Sequence, residues 1–385
     1  MAQSNLYYFT NYYPDTKARH VQIAKMVDSF MNSNPNMQFV VRDYRRSFNY
    51  DPMEYYNLKN SFNITEIPSL KFLPIRYDFY FHSGLRGYVN KLINKESTDK
   101  TLLYSRYGKN SGSLTEIIID CSKKAGHHGV FAEIHEGLNQ REKMYVERLD
   151  GIVVISNALR NLLLNIGISE SKILVAPSGV DLDAYMQYAS KNKMELREKL
   201  SLPNDKKLAV YTGHLYRDRG LEILVDSAKY IGDQTEILIV GGLPEDINRL
   251  QKLVDDSGLS DRISLLGSRP VSEIPLYQLS ADVLVMPYPE HWKLKNWSSP
   301  MKMFEYMASN RPIVASDFPI VREVLNDKNS HLVKPGDPAA LAEGINKCLG
   351  DEAYSRSISQ IAFEDVKEYT WDRRAQRILD FMQSL

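Results

Sequence analysis

The sequence predicts an α/β protein of two doubly wound parallel-sheet domains facing across a cleft, and three observations lead there. Short apolar runs alternate with longer stretches of helical periodicity, the pattern of βαβ units. They form two series of six, separated by the polar, helix-prone stretch 183–206. The chain has 385 residues, too many for one ordinary core at roughly 100–200 residues per domain.

The first series places strands at Leu6–Thr10, Gln38–Arg42, Leu102–Ser105, Val130–Ile134, Ile152–Ile155 and Ile173–Ala176. The second places them at Leu208–Gly213, Ile237–Gly241, Ile263–Leu266, Val283–Met286, Ile313–Ala315 and His331–Val333. Domains are expected at 1–190 and 191–369. Residues 370–385 carry Trp371, Ala375, Ile378, Leu379 and Met382 on one helical face, so this helix needs a partner surface and is expected to cross back onto the first domain.

Charge and cysteine content narrow the classes. Forty-eight Lys and Arg balance forty-eight Asp and Glu, which argues against a nucleic-acid-wrapping protein. The balance hides an asymmetry: residues 1–130 hold 17 basic against 11 acidic side chains, a mildly basic N-terminal part. Cys121 and Cys348 are too few and too distant for a disulfide framework or zinc knuckle, and fit a reducing cytosol. The residues from Met1 to Asn11 lack a signal-peptide layout and no apolar run is long enough to span a bilayer. A cytoplasmic location is expected, with any membrane contact peripheral.

Ligands of open parallel sheets bind beyond the carboxyl ends of the strands. After the strand ending at Gly213 come His214, Leu215, Tyr216, Arg217, Asp218, Arg219 and Gly220, a turn with two guanidinium groups ahead of a helix. Planar guanidinium forks and helix-terminal N–H groups suit a diphosphate; a solvated basic turn is the plain alternative. The segment Ser298–Ala308 reads as a helix entered through Ser and Pro, with Glu305 about two turns in. Flanked by Phe304 and Met307, a carboxylate there is partly buried and needs hydrogen-bond donors, such as ribose hydroxyls; a surface glutamate is the plain alternative.

The stretch from Ser299 through Arg322, with Glu305, Pro312, Ala315 and Glu323, closely resembles the nucleotide-sugar signature of glycosyltransferase family 4, which has the GT-B fold. Asp150–Ser156, Pro177–Asp181, Gly213–Gly220, Leu266-Gly267 and Ala281–Pro287 agree in order and spacing; before about Val130 the likeness is thin. The resemblance implies a retaining, metal-independent transfer of a hexose from a UDP-, GDP- or ADP-sugar to a glycan or lipid-linked acceptor, with no cofactor. It implies that Glu305 takes the ribose hydroxyls, and that Ser298, Ser299, Pro300, Met301 and Lys302 form the helix start presented to the distal phosphate. Arg219, with Arg217 beside it, falls at the diphosphate cation; Gly213 and His214 line the donor, and the backbone of Ser268 and Arg269 meets the base. His135 matches the histidine that faces the donor sugar from the first domain.

Three departures stand out. Trp297 occupies the position of the family's first glutamate, His214 that of an arginine, and Asn11–Asp15 replace a glycine-rich loop. These leave a second reading, a degenerate transferase that binds nucleotide-sugar or serves as a scaffold. The acceptor side is expected in the first domain, at Tyr12, Tyr13, Arg106 and Glu136, within a region also rich in Tyr44, Tyr55, Tyr56, Tyr104 and Tyr107, with Arg42, Arg45, Arg46 and Arg86 available to an anionic lipid or phosphate. Asp181 and Asp183 match a metal motif in form only; Asp181 is expected to cap a helix.

Overall fold

The computed structural model describes residues 5–45, 48–67, 77–95, 101–108, 112–127 and 129–385. Arg46 lies outside the described residues. The chain divides into two compact units: 1–178 with 371–385, and 179–370.

Among the described residues, seven strands build unit 1: β1 (Asn5–Tyr13), β2 (Gln38–Tyr44), β3 (Ile64–Glu66), β4 (Thr101–Tyr107), β5 (Val130–Ile134), β6 (Gly151–Val154) and β7 (Ile173–Val175). They lie parallel in the order β3-β2-β1-β4-β5-β6-β7. Leu6, Phe9, Leu102, Tyr104, Val130, Ala132, Ile152 and Val153 are buried, the near-continuous apolar pattern of strands covered on both faces. β3 was not expected: three half-exposed residues in a polar stretch carry no periodic signal, and only pairing to β2 makes them an edge strand.

Helix Trp371–Ser384 packs in unit 1, with Trp371, Ala375, Ile378, Leu379 and Met382 all buried, the apolar face read from the sequence. That helix also carries a charge inward. Arg374, 3% exposed, donates to Glu133 Oε1 at 2.8 Å and through Nε to the carbonyls of Ala176 and Pro177. Glu133, 2% exposed, also accepts from Gln22 at 2.8 Å and from Tyr104. Burial alone would raise the Glu133 pKa; Arg374 and its other partners hold it well below the usual carboxylate range.

Unit 2 carries β8 (Lys207–Thr212), β9 (Thr235–Val240), β10 (Ile263–Leu265), β11 (Val283–Met286), β12 (Ile313–Ser316) and β13 (His331–Val333), all parallel in the order β10-β9-β8-β11-β12-β13. The division between units falls after Ser178 rather than at 190. Tyr185 donates to Gln278, and Val180 N–H bonds the Tyr369 carbonyl, tying 179–190 into unit 2. The polar stretch before β8 is built in as well: Arg197, buried, reaches Asp282 at 2.5 Å and the carbonyls of Ser280, Pro203 and Lys206. The short helix Asp183–Met186 is entered at Leu182 without a side-chain cap, so Asp181 does not fill the N-cap position expected of it.

In both sheets the strand order reverses beside the first strand, between β1 and β4 and between β8 and β11. Loops leaving the carboxyl ends of those two strands diverge to opposite faces and open a crevice. Removing one partner of a buried ion pair strands the other. Arg374→Met should therefore lower the free energy of unfolding by about 3–5 kcal/mol in urea denaturation; a loss below about 1 kcal/mol would show that Glu133 does not depend on it.

Candidate functional site

The reversal point of unit 2 gathers most of the residues singled out from the sequence. Gly213 follows β8 at φ +131°, and a Cβ there would lie 2.9 Å from Lys302 Nζ. Gly220 closes the same loop at φ +75°, where a Cβ would meet the Pro287 carbonyl oxygen at 1.6 Å. Glycine is thus required where the loop after β8 presses on the loop after β11 and on helix Met301–Ala308.

Two basic side chains lie in this crevice. Lys302 Nζ is buried, sits 3.6 Å from the centroid of the Tyr211 ring and has no hydrogen-bond partner among the described residues. Arg219 is largely buried; its NH1 lies 3.5 Å from Asp218 Oδ2 yet makes no hydrogen bond there. A cation over an aromatic ring gains about 2 kcal/mol when desolvated, less than the several kcal/mol that burying an ammonium costs. Burial first, then Arg219, hold the Lys302 pKa well below the ordinary lysine value, with Glu305 opposing. Orphaned donors of this kind are chemically suited to an anion.

Glu305 lies one turn beyond Lys302 on the same helix, half-buried, and accepts from Gln278 Nε2 at 3.3 Å. Gln278, fully buried, also donates to Thr212 Oγ1 at 2.9 Å and accepts from Tyr185. Tyr306 OH receives the Thr212 N–H at 2.9 Å. This lattice fixes the carboxylate relative to the end of β8. The sequence offered no signal for Gln278 or Tyr185, because their role exists only through contacts made 93 residues apart.

The helix start differs from the expected one. Pro300 itself holds the N-cap position, with no side-chain cap, and the Ser298 N–H is taken by the Leu294 carbonyl at 3.0 Å. Proline has no N–H to present, and Met301 and Lys302 supply first-turn amides that have no intrahelical acceptor. Arg217 is exposed, unlike Arg219. The His214 ring stacks on Tyr216 with centroids 4.9 Å apart. After β10, Ser268 is exposed, and Arg269 donates to Tyr277 OH at 3.1 Å and to the Ser268 carbonyl. Among the described residues no three His, Cys, Asp or Glu side chains cluster to hold a metal ion.

In unit 1, His135 follows β5 and its Nε2 bonds the Glu133 carboxylate. Burial, then Arg106, push its pKa down to about 4. Arg106 donates to Gln22 Oε1 at 3.1 Å, and burial lowers its pKa to about 10. Glu136 lies against Gly108 after β4, 2.8 Å from where a Cβ would stand. Tyr12 is half-buried with the Arg45 guanidinium 5.1 Å from its ring. Tyr13 requires a correction: it is fully buried among Phe39, Tyr44, Tyr56 and Phe62, so its ring is core and cannot face an acceptor. Tyr55, Tyr56, Tyr104 and Tyr107 are buried too, and Arg42 packs on Phe81.

Two doubly wound parallel sheets, the second with a cationic crevice at its reversal point, define the class: the chain has the GT-B fold of glycosyltransferases. Residues 192–365, a little under half of the chain, match the family described as glycosyl transferases group 1. The D-inositol 3-phosphate glycosyltransferase of Xylanimonas cellulosilytica is 28% identical over 249 residues, 62% of this chain and 58% of that protein. The match thus spans less than two thirds of that relative's length. The putative teichuronic acid biosynthesis glycosyltransferase TuaC of Bacillus subtilis is 23% identical over 74% of this chain and 71% of its own. Among solved structures, a Rickettsia africae glycosyltransferase superposes with a TM-score of 0.77 at 16% identity, covering 99% of this chain and 98% of that one. Anabaena HepE in complex with UDP and glucose gives 0.73 at 17%, covering 99% of each. No helix among the described residues is long and apolar enough to cross a membrane.

His135 and His20 both have pKa values lowered to about 4, by burial first. Unfolding restores about 6.5, so the unfolded chain binds more protons below that pH. Their contribution to stability is complete above about pH 6.5 and is lost as pH falls towards 4. Urea midpoints measured across that window should decline, and His135→Gln should flatten the slope by roughly half; an unchanged slope would place the titration elsewhere.

Proposed function

We propose that the protein is a nucleotide-sugar-dependent hexosyltransferase whose donor binds in unit 2. The observation that carries this reading is the pair of basic side chains, Arg219 and Lys302, whose buried NH1 and Nζ find no hydrogen-bond acceptor among the described residues at the reversal point beside Glu305. A diphosphate supplies the acceptor oxygens they lack, and Glu305, fixed by Gln278, is placed to receive two ribose hydroxyls. The relatives are glycosyltransferases by name, and one solved neighbour holds UDP and glucose, which supports the same assignment.

In the reaction, the bond between the anomeric carbon and the distal phosphate oxygen breaks while the acceptor hydroxyl oxygen bonds that carbon. Negative charge grows on the departing phosphate. Donors already fixed around it stabilise that charge more in the transition state than in the bound donor. Arg219, Lys302 and the first-turn amides of helix 301–308 would fill this role without a metal ion. Transfer with retention, the hydroxyl arriving on the leaving-group side with the phosphate taking its proton, is the stereochemical course proposed. The acceptor, a glycan or lipid-linked sugar, is assigned to unit 1 near Tyr12, Arg106, His135 and Glu136, with peripheral membrane contact through basic residues.

Thermal-shift comparison of UDP-, GDP- and ADP-sugars should show stabilisation by one of them. Against that donor, Glu305→Ala should lose about 1.5–3 kcal/mol of binding, roughly 10- to 100-fold in Kd, by calorimetry, with unchanged circular dichroism. Equal affinity would remove the role given to Glu305.

A further inference from the structure

Lys302 differs from Arg219 in one chemical respect: an amine can shed its charge at physiological pH, a guanidinium cannot. An ammonium presents three N–H donors. Lys302 Nζ is buried, faces the Tyr211 ring at 3.6 Å and the backbone at Gly213, and finds no acceptor. Its charged neighbours are Arg219, which repels it from the loop after β8, and Glu305, which attracts it from its own helix. The Glu305 carboxylate already accepts from Gln278.

We propose that Lys302 is a neutral amine in the free protein and takes a proton from solvent as the donor's diphosphate arrives, so that donor binding itself completes the cationic site. This rests on reading unit 2 as the nucleotide-sugar site. The diphosphate supplies both the oxygens an ammonium needs and the negative charge that offsets Arg219. The proton enters with the donor and leaves when the nucleoside diphosphate departs. A free site carrying one permanent cation rather than two also avoids the mutual repulsion of an empty Arg–Lys pair.

Other titratable groups face the same space. Tyr211, Tyr288 and Tyr306 are buried, and burial raises all three, Tyr288 to about 12, so they stay protonated. Asp218 lies beside Arg219, and His214 stacks on Tyr216 in the same loop. His214 is the competing source of a proton effect.

The test is calorimetry of UDP-glucose binding to the full chain at pH 8, repeated in buffers of differing ionisation enthalpy, with GDP-mannose and ADP-glucose where UDP-glucose is silent. Nucleotide-sugars carry fixed diester charges near that pH, so proton uptake reports the protein. Uptake approaching about one proton per donor is expected, with affinity falling up to roughly tenfold per pH unit on the alkaline side. Lys302→Arg, permanently charged, should bind with no uptake and a flat pH profile. Lys302→Met should lose uptake and bind more weakly. Donor binding by the wild type without uptake, or uptake that persists in both variants, overturns the proposal and leaves the donor site standing. A folded protein that binds none of the three sugars overturns the donor site, and this proposal with it.

Discussion

A charge taken out of water must find a partner, and the two units meet that constraint in opposite ways. In unit 1 the buried Glu133 carboxylate is fully answered: Arg374, Gln22, Tyr104 and His135 all converge on it. In unit 2 the buried Arg219 NH1 and Lys302 Nζ find no hydrogen-bond acceptor among the described residues, with only an ion pair to Asp218 and an aromatic face beside them. A satisfied network rigidifies the fold around it, whereas an unsatisfied pair keeps the site in a state that a ligand of opposite charge improves. The same sheet topology thus holds a structural charge in one unit and an expectant charge in the other.

Parallel sheets make this division economical. Every strand delivers its following loop to one edge, and the reversal of strand order separates two of those loops. In unit 2 they belong to β8 and β11, and helix 301–308 closes the third side. Glycines 213 and 220 mark where backbone must approach backbone or Lys302 more closely than a side chain allows. The site is built from chain segments nearly ninety residues apart, held by ordinary packing of Tyr306 and Gln278 onto Thr212.

Much of this was legible before any coordinates. Strands such as Val130–Ile134 and Val283–Met286 coincide with their apolar runs, because burial on both faces leaves an unbroken hydrophobic signal. The turn after β8 pointed to Arg219, while Glu305 and the helix start containing Lys302 were reached through the family resemblance. What escaped reading was set by tertiary partners. β3 exists only through pairing with β2. Tyr13 looks like a loop aromatic from composition, yet the surrounding Phe39, Tyr56 and Phe62 make it core. Gln278 and Arg374 sit in helices with nothing local to distinguish them from solvent-facing neighbours, and their roles depend on partners 27 to 241 residues away.

The separation of 241 residues between Glu133 and Arg374 also has a meaning in time. At about 5–20 residues per second, a ribosome that has released β5 needs on the order of 10–50 s more to deliver the helix that neutralises it. Most of that interval is spent making unit 2, whose last residue, Thr370, pairs with Val180 and precedes Arg374 by only four residues. The first unit's acid therefore waits for its arginine until the whole of the second unit has been made.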